Sequence, residues 1–509
     1  MTTPVVFKYR IQPLLFAAVA GLLATGCKTY QQQNQVIQHW HQGNMTNAVA
    51  EATKMADKNA NNKDAVIWRL EQGAVLRGAG QYEASNKAFD QAQDKIDDYA
   101  QKAKVRLGQE TGALLSNQAE LDYEGRTYDG VMLNTYKALN YLQLGEPDKA
   151  RVELIRAYQR QQDAVEENKR RIAKVQEEAA KSKDKATMDK AEQDPKFKAQ
   201  VQGTYTNIDN LKAYADYVNP FTVYLDGLFF MADAVDGSDL ERARKSFERV
   251  VGFDPDNEYV KQDLAMVDGL INGKPLAPTI YVIFETGCAP VRDQIRIDIP
   301  IIFTKVSYVG AAFPTLKPQG NYLRSLTVTA NSFSLSTNDA SVTAGNTTTV
   351  SSDTAMTASS TTATTMSSRI TATTSPIASM DSVIGLDFKN EMPVVIAKTI
   401  ASTVTKAVAS YAANQAASQQ NNWVAALVQI STVVYQAAVN IADERTWTTL
   451  PKEFQACHIP TPPDRKIELE APGGGQRIPV TIADGTINLV YVKSITATSP
   501  LLVTQMRLK

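Results

Sequence analysis

The residues best suited to chemistry are the three histidines and three cysteines of this 509-residue chain. Cys457 and His458 are adjacent, so on a β-strand their side chains point to opposite faces and cannot form a nucleophile–base pair. His39 and His41 lie about 200° apart around a helix, so they cannot chelate one metal ion. The sequence also lacks the G-x-S-x-G and H-E-x-x-H motifs. We therefore expect no enzymatic activity, no metal site and no bound cofactor.

The third cysteine, Cys27, has a different context. It closes the sequence LATGC, which ends an apolar run that begins at Leu14, and Lys8 and Arg10 provide a basic flank. These are the parts of a secretory signal. The apolar run is too short to cross a bilayer of about 30 Å as a helix. The ending resembles the bacterial lipobox, in which the cysteine is lipidated, although the leucine lies one position early.

The lipobox resemblance predicts where the mature chain lies. Residues 1–26 would be a lipoprotein signal peptide, and residues 27–35 would form a tether lipidated at Cys27. Several acyl chains on one cysteine make detachment from a membrane slow. Lys28 follows the cysteine, whereas in such lipoproteins an Asp there favours the inner membrane. We expect an outer-membrane anchor with the chain facing the periplasm.

Cys288 and Cys457 then remain as an even pair in an oxidising compartment. Both lie beside predicted strands. One interpretation is a disulfide between them. The other is that each thiol is buried separately as a small hydrophobic side chain.

Length and charge limit the class of protein. At roughly 150 residues per domain, the chain is long enough for about three domains. Its 53 Lys and Arg nearly balance 54 Asp and Glu, for a formal net charge of -1. A nucleic-acid-binding surface needs an excess of basic residues to displace counterions from phosphate. We therefore expect no nucleic-acid partner.

Residues 36–268 show a helical pattern that repeats. A small residue in one helix, a glycine in the turn and a large apolar residue in the next helix are typical of tetratricopeptide repeats. A weaker copy surrounds Trp40, Gly43 and Ala48. The pattern predicts a tetratricopeptide-like helical array with Phe89, Leu154 and Phe247 buried between repeats. Three copies carry it: Gly73, Leu76, Gly80, Tyr82, Phe89 and Ala92; Ala138, Tyr141, Gly145, Ala150, Leu154 and Ala157; and Tyr224, Gly227, Leu240, Ala243, Phe247 and Pro255.

A charged helical arm at about 159–200 interrupts this array. Glu166 and Arg170 are four residues apart, a spacing that supports an exposed helix. One interpretation is a solvated extension folded back as a helical hairpin. The other is a coiled-coil arm that reaches a partner. Pro195 would mark the hairpin tip or the start of the returning helix.

After a linker at 269–278 the sequence predicts a β-rich domain over 279–509. The run 279–285 is mostly apolar, as in a buried strand, and 292–299 alternates between polar and apolar residues. We expect further strands at 304–310, 321–335, 466–470, 477–482, 487–494 and 501–507.

Two insertions divide this domain. More than half of residues 341–380 are Ser or Thr, so 336–380 is expected to be a loop or a weakly ordered β-ribbon. Residues 393–441 are Ala-rich with few charges, and a break at 419–422 predicts a helical hairpin. That hairpin would pack on the sheet of its own domain, or else serve oligomerisation or membrane contact.

Short motifs in this half carry a family resemblance. They are Gly310–Pro314, Ala442–Trp447, Leu450-Pro451 and Phe454-Gln455. With them the chain resembles a family of uncharacterised bacterial lipoproteins that join tetratricopeptide-like helices to a β-rich C-terminal domain. The family is often encoded beside lipoproteins that resemble activators of penicillin-binding proteins, which implies an envelope role. It supplies no catalytic residues.

Together these observations predict α and β parts in separate domains. The expected function is that of an outer-membrane-anchored scaffold that binds envelope proteins during envelope assembly or maintenance, near peptidoglycan synthesis. The membrane is contacted through Cys27, and copies of the chain could associate with each other. The alternative is an oligomeric subunit of an outer-membrane secretion or pore-type assembly.

Overall fold

The computed structural model describes residues 28–105, 118–302 (without 210, 212, 213 and 216), 306–336, 364–418, 442–472 and 475–509. Helices occupy these residues up to 271, and strands with one long helix follow. The predicted order of an α-helical part and a β-rich part is therefore confirmed. The predicted signal peptide and Cys27 lie outside the described residues.

Consecutive helices of the first part pack as hairpins. The turns are short, and three of them place Gly43, Gly80 and Gly145 at positive φ, a conformation that glycine adopts without steric cost. Proline begins α6 and α9, where the missing N–H is not needed. The hairpins pair α1 (Lys28–His41) with α2 (Met45–Lys58), α3 (Ala65–Gly78) with α4 (Tyr82–Val105), and α5 (Thr127–Gln143) with α6 (Pro147–Ala180); then come α7 (Lys185–Gln193), α8 (Pro195–Asp209), the pair α9 (Pro220–Ala232) and α10 (Gly237–Phe253), and α11 (Glu258–Ile271).

The predicted packing positions meet between paired helices. Phe89, Leu154 and Phe247 are completely buried, which confirms the burial, though not the position between repeats, that was predicted for them. The ring of Phe89 lies against Gly73, and the ring of Phe247 lies against Gly227. A large ring on one helix thus fills the space that the glycine leaves on the other.

The charged arm at 159–200 does not project from the molecule. α6 runs to Ala180, α7 and α8 turn the chain back, and Pro195 is the first residue of α8. Apolar residues of the arm, such as Val175 and Phe197, share a hydrophobic cluster with Phe313 and with the long helix α12 (Met380–Ser418). The interpretation as a free coiled-coil arm is therefore wrong. The fold-back is present, but its apolar face is buried against the β-rich part.

The described residues of the second part form three sheets. A five-stranded sheet has the order β11-β10-β1-β7-β6, with β1 parallel to β10 and antiparallel to β7. A four-stranded sheet has the order β5-β4-β8-β9, and β2 pairs only with β3 among the described strands. The bounds are β1 (Thr279–Thr286), β2 (Val291–Ile302), β3 (Val306–Lys317), β4 (Thr327–Ser336), β5 (Thr364–Thr373), β6 (Ser375–Ser379), β7 (Glu453–Pro460), β8 (Lys466–Glu470), β9 (Arg477–Thr481), β10 (Ile487–Ser494) and β11 (Leu502–Arg507).

The central strand β1 explains how the two parts join. Its side chains alternate between two faces. Tyr281 and Ile283 belong to the hydrophobic cluster that contains Phe89 and the other helix residues. Val282 belongs to the cluster that includes Val328 of the four-stranded sheet. The helices and the five-stranded sheet therefore share one hydrophobic core. The prediction that the α and β parts form separate domains is corrected accordingly.

Both predicted insertions differ from expectation. Residues 364–373 form β5, which pairs with β4 from Thr327↔Thr373 to Ser336↔Thr364, and 375–379 form β6. The loop prediction is wrong there, because a paired strand gains backbone hydrogen bonds that composition does not reveal. The β-ribbon alternative is correct for β5. Residues 337–363 lie outside the described residues.

The Ala-rich insertion begins as one long helix, α12 (Met380–Ser418), with Pro393 inside it. It therefore starts 13 residues before the predicted hairpin. Its buried residues, including Phe388 and Val404, pack in the cluster of the arm and of β2 and β3. The second half of the predicted hairpin, 419–441, lies outside the described residues.

Candidate protein-binding surface

The segment 442–450, which contains part of the family-like motifs, connects the helices to the sheet. The guanidinium of Arg445 bridges three groups: its Nε lies 2.7 Å from Asp443 Oδ1, and its Nη1 lies 3.2 Å from Asp64 Oδ1. The same Nη1 donates to the carbonyl of Leu121 at 2.8 Å. Charge-assisted contacts of this kind fix the segment against the start of α3. The motif therefore has a structural role at the junction.

Glu71 of α3 makes a second contact with this segment. Its Oε1 accepts from the backbone N–H of Thr448 at 2.7 Å, and its Oε2 accepts from the hydroxyl of Thr449 at 2.8 Å. Burial raises the pKa of Glu71 to about 7, although these hydrogen bonds act in the opposite direction. Beside it, the buried ring of Trp447 packs edge-on against Phe89, with ring centroids 5.8 Å apart.

Two arginines meet one carboxylate where α5, β2 and α12 converge. Arg126 Nη1 lies 2.7 Å and Arg292 Nη2 lies 2.6 Å from Glu391 Oε2. Burial alone would raise the pKa of Glu391, but the two guanidinium groups outweigh it and hold this pKa well below its usual range. Burial raises the pKa of nearby Asp387 to about 7, and the charge of Glu391 adds to the effect.

A third polar centre lies at the end of β1. Glu285 Oε1 accepts from Tyr136 at 2.9 Å and from Lys493 Nζ at 2.6 Å, and its Oε2 accepts from Tyr491 at 2.5 Å. Burial raises the pKa of Glu285, but the charges of Lys493 and Arg77 outweigh it and lower the pKa overall. Tyr136 belongs to α5, so this carboxylate ties the helices to the sheet.

Asp263 of α11 forms a fourth centre. Its Oδ1 accepts from Tyr281 at 2.8 Å, its Oδ2 accepts from Tyr224 at 3.1 Å, and His458 Nε2 lies 3.4 Å from Oδ1. Burial raises the pKa of Asp263 to about 7. His458 thus faces the helices, whereas Cys457 packs between the two larger sheets. The prediction that these neighbours face opposite sides is confirmed.

The two cysteines of the β-rich part are separate. Cys288 and Cys457 are both free and buried, and they belong to different hydrophobic clusters. The two cysteines therefore do not form a disulfide. The second interpretation, in which each thiol is buried separately, is the correct one. Burial raises the pKa of each thiol to about 12, which keeps both thiols protonated and unreactive. Cys288 Sγ lies 3.5 Å from Nε2 of His41.

These centres pair most of their charged groups within the protein, and their contacts are those of a structural junction. Among the described residues, no group of three or more His, Cys, Asp and Glu side chains is arranged to hold a metal ion. In the same residues, no helix combines the length and the apolar character needed to span a bilayer.

The solvent side of α6 carries an apolar surface. Val152, Ile155 and Tyr158 are 46, 44 and 46% exposed, and their spacing of three residues places them on one side of the helix. We call these three residues the α6 stripe. The guanidinium of Arg242 on α10 lies 5.6 Å from the ring centre of Tyr158 and 4.1 Å from that of Phe230. The stripe therefore borders the next helical hairpin.

A cleft of about 320 Å³ lies between α4 and the hairpin of α5 and α6. Tyr141 and Leu144 provide apolar atoms, and Asn86 and Lys87 line it from α4. Lys149 lies on the opposite wall, with its ammonium 5.5 Å from the ring centre of Tyr141. It is an open surface groove and not an enclosed cavity.

Sequence reasoning named none of these surface residues as binding residues and did not identify the buried ionic centres. The signal for the centres is weak: Glu285 lies near the end of a mostly apolar strand, and Glu391 directly precedes the apolar residues 392–397 of α12. No family model, no curated protein and no solved structure matches this chain.

Proposed function

We propose that this protein is an outer-membrane lipoprotein that acts as a scaffold for other cell-envelope proteins, near peptidoglycan synthesis. In this proposal Cys27 carries the lipid anchor, and the helical hairpins form an array of the tetratricopeptide type. The stacking of successive hairpins, two of which set a glycine against a phenylalanine ring, supports the repeat assignment.

The α6 stripe is the observation that carries the scaffold proposal. Protein-binding surfaces are enriched in aromatic side chains and arginine, and a few residues, most often Trp, Tyr and Arg, supply most of the binding energy. The three residues of the α6 stripe lie beside an arginine, Arg242, of the neighbouring helix α10. The opposite face of α6 packs inside the protein and holds the helix in place. Leu154, on that other face, is fully buried.

The junction supports the same function. A scaffold must hold its binding surface in a fixed relation to the anchored end of the chain. Arg445, Glu71 and Glu285 each connect the helices with the β-rich part through buried hydrogen bonds. Buried and fully paired polar networks of this kind rigidify a structure.

Copurification in mild detergent tests the proposal. The full-length protein and its Ile155→Asp/Tyr158→Asp variant are purified from cell envelopes, and the accompanying proteins are identified by mass spectrometry. Ile271→Asp is a matched control, because Ile271 is 39% exposed at the end of α11. We expect the wild type and the control to retain an envelope partner that the double variant loses.

Two results would count against the scaffold. A partner set that is identical in all three proteins would show that the α6 stripe is not the contact. A ring of many copies of this chain, seen by size in the same detergent, would favour the secretion or pore-type alternative.

A further inference from the structure

We propose that Asp387 of α12 is a pH-sensitive latch. While its carboxyl group is protonated, the turn of α12 at 387–393 stays packed against the start of α5 and against β2, and loss of that proton lets this turn open to solvent. The latch belongs to the junction between the helices and the β-rich part. It does not depend on which protein the α6 stripe binds.

Two carboxyl groups compete for the same counter-charges at this place. Asp387 and Glu391 lie four residues apart on α12, so their side chains are neighbours, and Asp387 is only 9% exposed. Arg126 and Arg292 both donate to Oε2 of Glu391, at 2.7 and 2.6 Å. The side chain of Asp387 has no hydrogen bond or ion pair with any described residue. Glu391 therefore holds the direct counter-charges, and Asp387 is a buried carboxyl group beside a carboxylate.

This placement keeps Asp387 protonated to an unusually high pH. Burial and a neighbouring negative charge both disfavour the ionised form of a carboxyl group. Burial and the charge of Glu391 accordingly raise the pKa of Asp387 to about 7, although Arg126 and Arg292 act in the opposite direction. Near neutral pH this carboxyl group can therefore gain or lose its proton.

The other charged and titratable groups around Asp387 keep their charge state near neutral pH or are shared by the variants compared below. Burial would raise the pKa values of Glu391 and Asp443, but their arginine partners outweigh it, so both stay ionised. Burial raises the pKa values of Tyr128 and Tyr205, so both phenols stay neutral. The groups are Arg126, Tyr128 and Asp129 at the start of α5, Arg292 of β2, Arg171 of α6, Tyr205 of α8, Asp443 and Arg445 of the segment 442–450, and the pair of Asp381 with Lys452 where α12 begins.

The turn that carries the latch is also predisposed to open. Pro393 lies inside α12 and cannot donate the helical hydrogen bond of its position. Four polar atoms around the latch are buried and have no hydrogen-bond partner in the described part of the chain: Nε of Arg126, Nε of Arg292, the hydroxyl of Tyr128 and Oδ1 of Asp129. Unpaired buried polar groups cost about 1–3 kcal/mol each. An opening that hydrates them therefore competes with the closed state.

Opening becomes easier as the pH rises. The closed state keeps the proton of Asp387 up to about pH 7, whereas the open state has the ordinary pKa of 3.8 and releases the proton earlier. The closed state is therefore the one that binds more protons, and its advantage falls as the pH increases. The opening constant should rise by up to about tenfold per pH unit between about pH 4 and pH 7, and level off above pH 7.

Amide hydrogen exchange from pH 5 to 8 tests the latch in the full-length protein in mild detergent, after correction for the intrinsic pH dependence of exchange. In the unsubstituted chain, the opening constant of residues 385–395 should rise at least about tenfold between pH 5 and 7. Asp387→Asn imitates the protonated form and should give a nearly flat profile. Asp484→Asn, at a fully exposed position, is the control and should keep the rise. Burial also raises the pKa values of Asp129 and Asp381, which are present in all three proteins.

A second variant covers the case in which Asp387→Asn does not fold. Pro393 is exposed, so Pro393→Ala should restore a helical hydrogen bond without disturbing the core. We expect it to lower the opening constant of 385–395 at every pH and to leave the rise between pH 5 and 7 in place. A flat profile in the unsubstituted chain, an equal rise in Asp387→Asn, or an opening constant that Pro393→Ala leaves unchanged would overturn the latch.

Discussion

The ring of Phe89 occupies the space that a side chain at Gly73 would need. A Cβ atom built on Gly73 would lie 2.4 Å from Cε1 of that ring, closer than real contacts allow. Gly227 and Phe247 repeat the relationship between α9 and α10, at 3.0 Å. The close approach of paired helices therefore depends on a glycine and an aromatic ring together.

Replacing Phe89 by Ala should lower the free energy of unfolding by roughly 3–5 kcal/mol, because the ring is completely buried and leaves a cavity. Chemical denaturation followed by circular dichroism measures this change. Tyr158→Ala, an exposed aromatic on α6, is the control and should change stability by less than about 1 kcal/mol. Equal effects in the two variants would refute the packing between α3 and α4.

Replacing Arg445 by Lys should destabilise the junction, because a single ammonium cannot reach Asp443, Asp64 and the Leu121 carbonyl at once. Breaking a buried ion pair costs about 3–5 kcal/mol when one partner is left without a counter-charge, and the conservative change should cost less than this. Arg477→Lys is the control, since Arg477 is an exposed residue of β9. If the two variants had the same denaturation midpoint, the role assigned to Arg445 would be contradicted.

Replacing Asp263 by Asn should flatten the pH dependence of stability. The folded-state pKa of Asp263 is raised to about 7 by burial, from an ordinary value of 3.8. The folded protein therefore holds a proton that the unfolded chain releases, so this group lowers stability as the pH rises from about 4 to 7. The slope of unfolding free energy against pH should differ between the proteins by up to about 1.4 kcal/mol per pH unit.

The neighbours of Asp263 set the control for this measurement. Burial lowers the pKa of His458, which gives a slope of opposite sign that is present in both proteins. Tyr224 and Tyr281 stay protonated, because their pKa values are raised well above 10. Parallel pH profiles for wild type and Asp263→Asn would show that this carboxyl is not buried as described.

The sequence predicts an element of the fold well when the residues that stabilise it are close together in the chain. The spacing of Gly73 and Phe89 lies within one helical hairpin, so the hairpin could be predicted without knowledge of the rest. Apart from the alternation expected for Cys457 and His458, the predicted strands do not include β7, whose apolar pattern is interrupted by the polar Gln455. Gln455 is buried and bonds to Thr374 and to the carbonyl of Arg324, partners 81 and 131 residues away. No local pattern reveals such partners.

The same reason explains the missed ionic centres. Glu285 is stable inside the core because Tyr136 and Lys493 reach it from 149 and 208 residues away in the chain. The arm at 159–200 was expected to be solvated because of its charged residues. Its apolar residues, such as Val175, found their partners on α12 and β3. Deleting 166–194 would therefore remove buried residues, such as Val175 and Met188, and damage the fold.

Replacing Cys27 by Ser should release the mature protein from the outer membrane into the soluble periplasmic fraction, because the proposed anchor is the lipid on that thiol. Fractionation of cells, with immunoblotting of each fraction, measures this. Cys288→Ser is the control and should leave the protein with the membrane. A Cys27→Ser protein that still sediments with outer membranes in high salt would refute the anchor.

The scaffold proposal is tested most directly by photocrosslinking in intact cells. A photoreactive amino acid replaces Tyr158 in the α6 stripe or, as a control, Ile271 at the end of α11, and the products are identified by mass spectrometry. We predict a discrete crosslink from position 158 to another envelope protein and none from position 271. The absence of any crosslink at 158, or crosslinks only to further copies of this chain, would contradict the proposal.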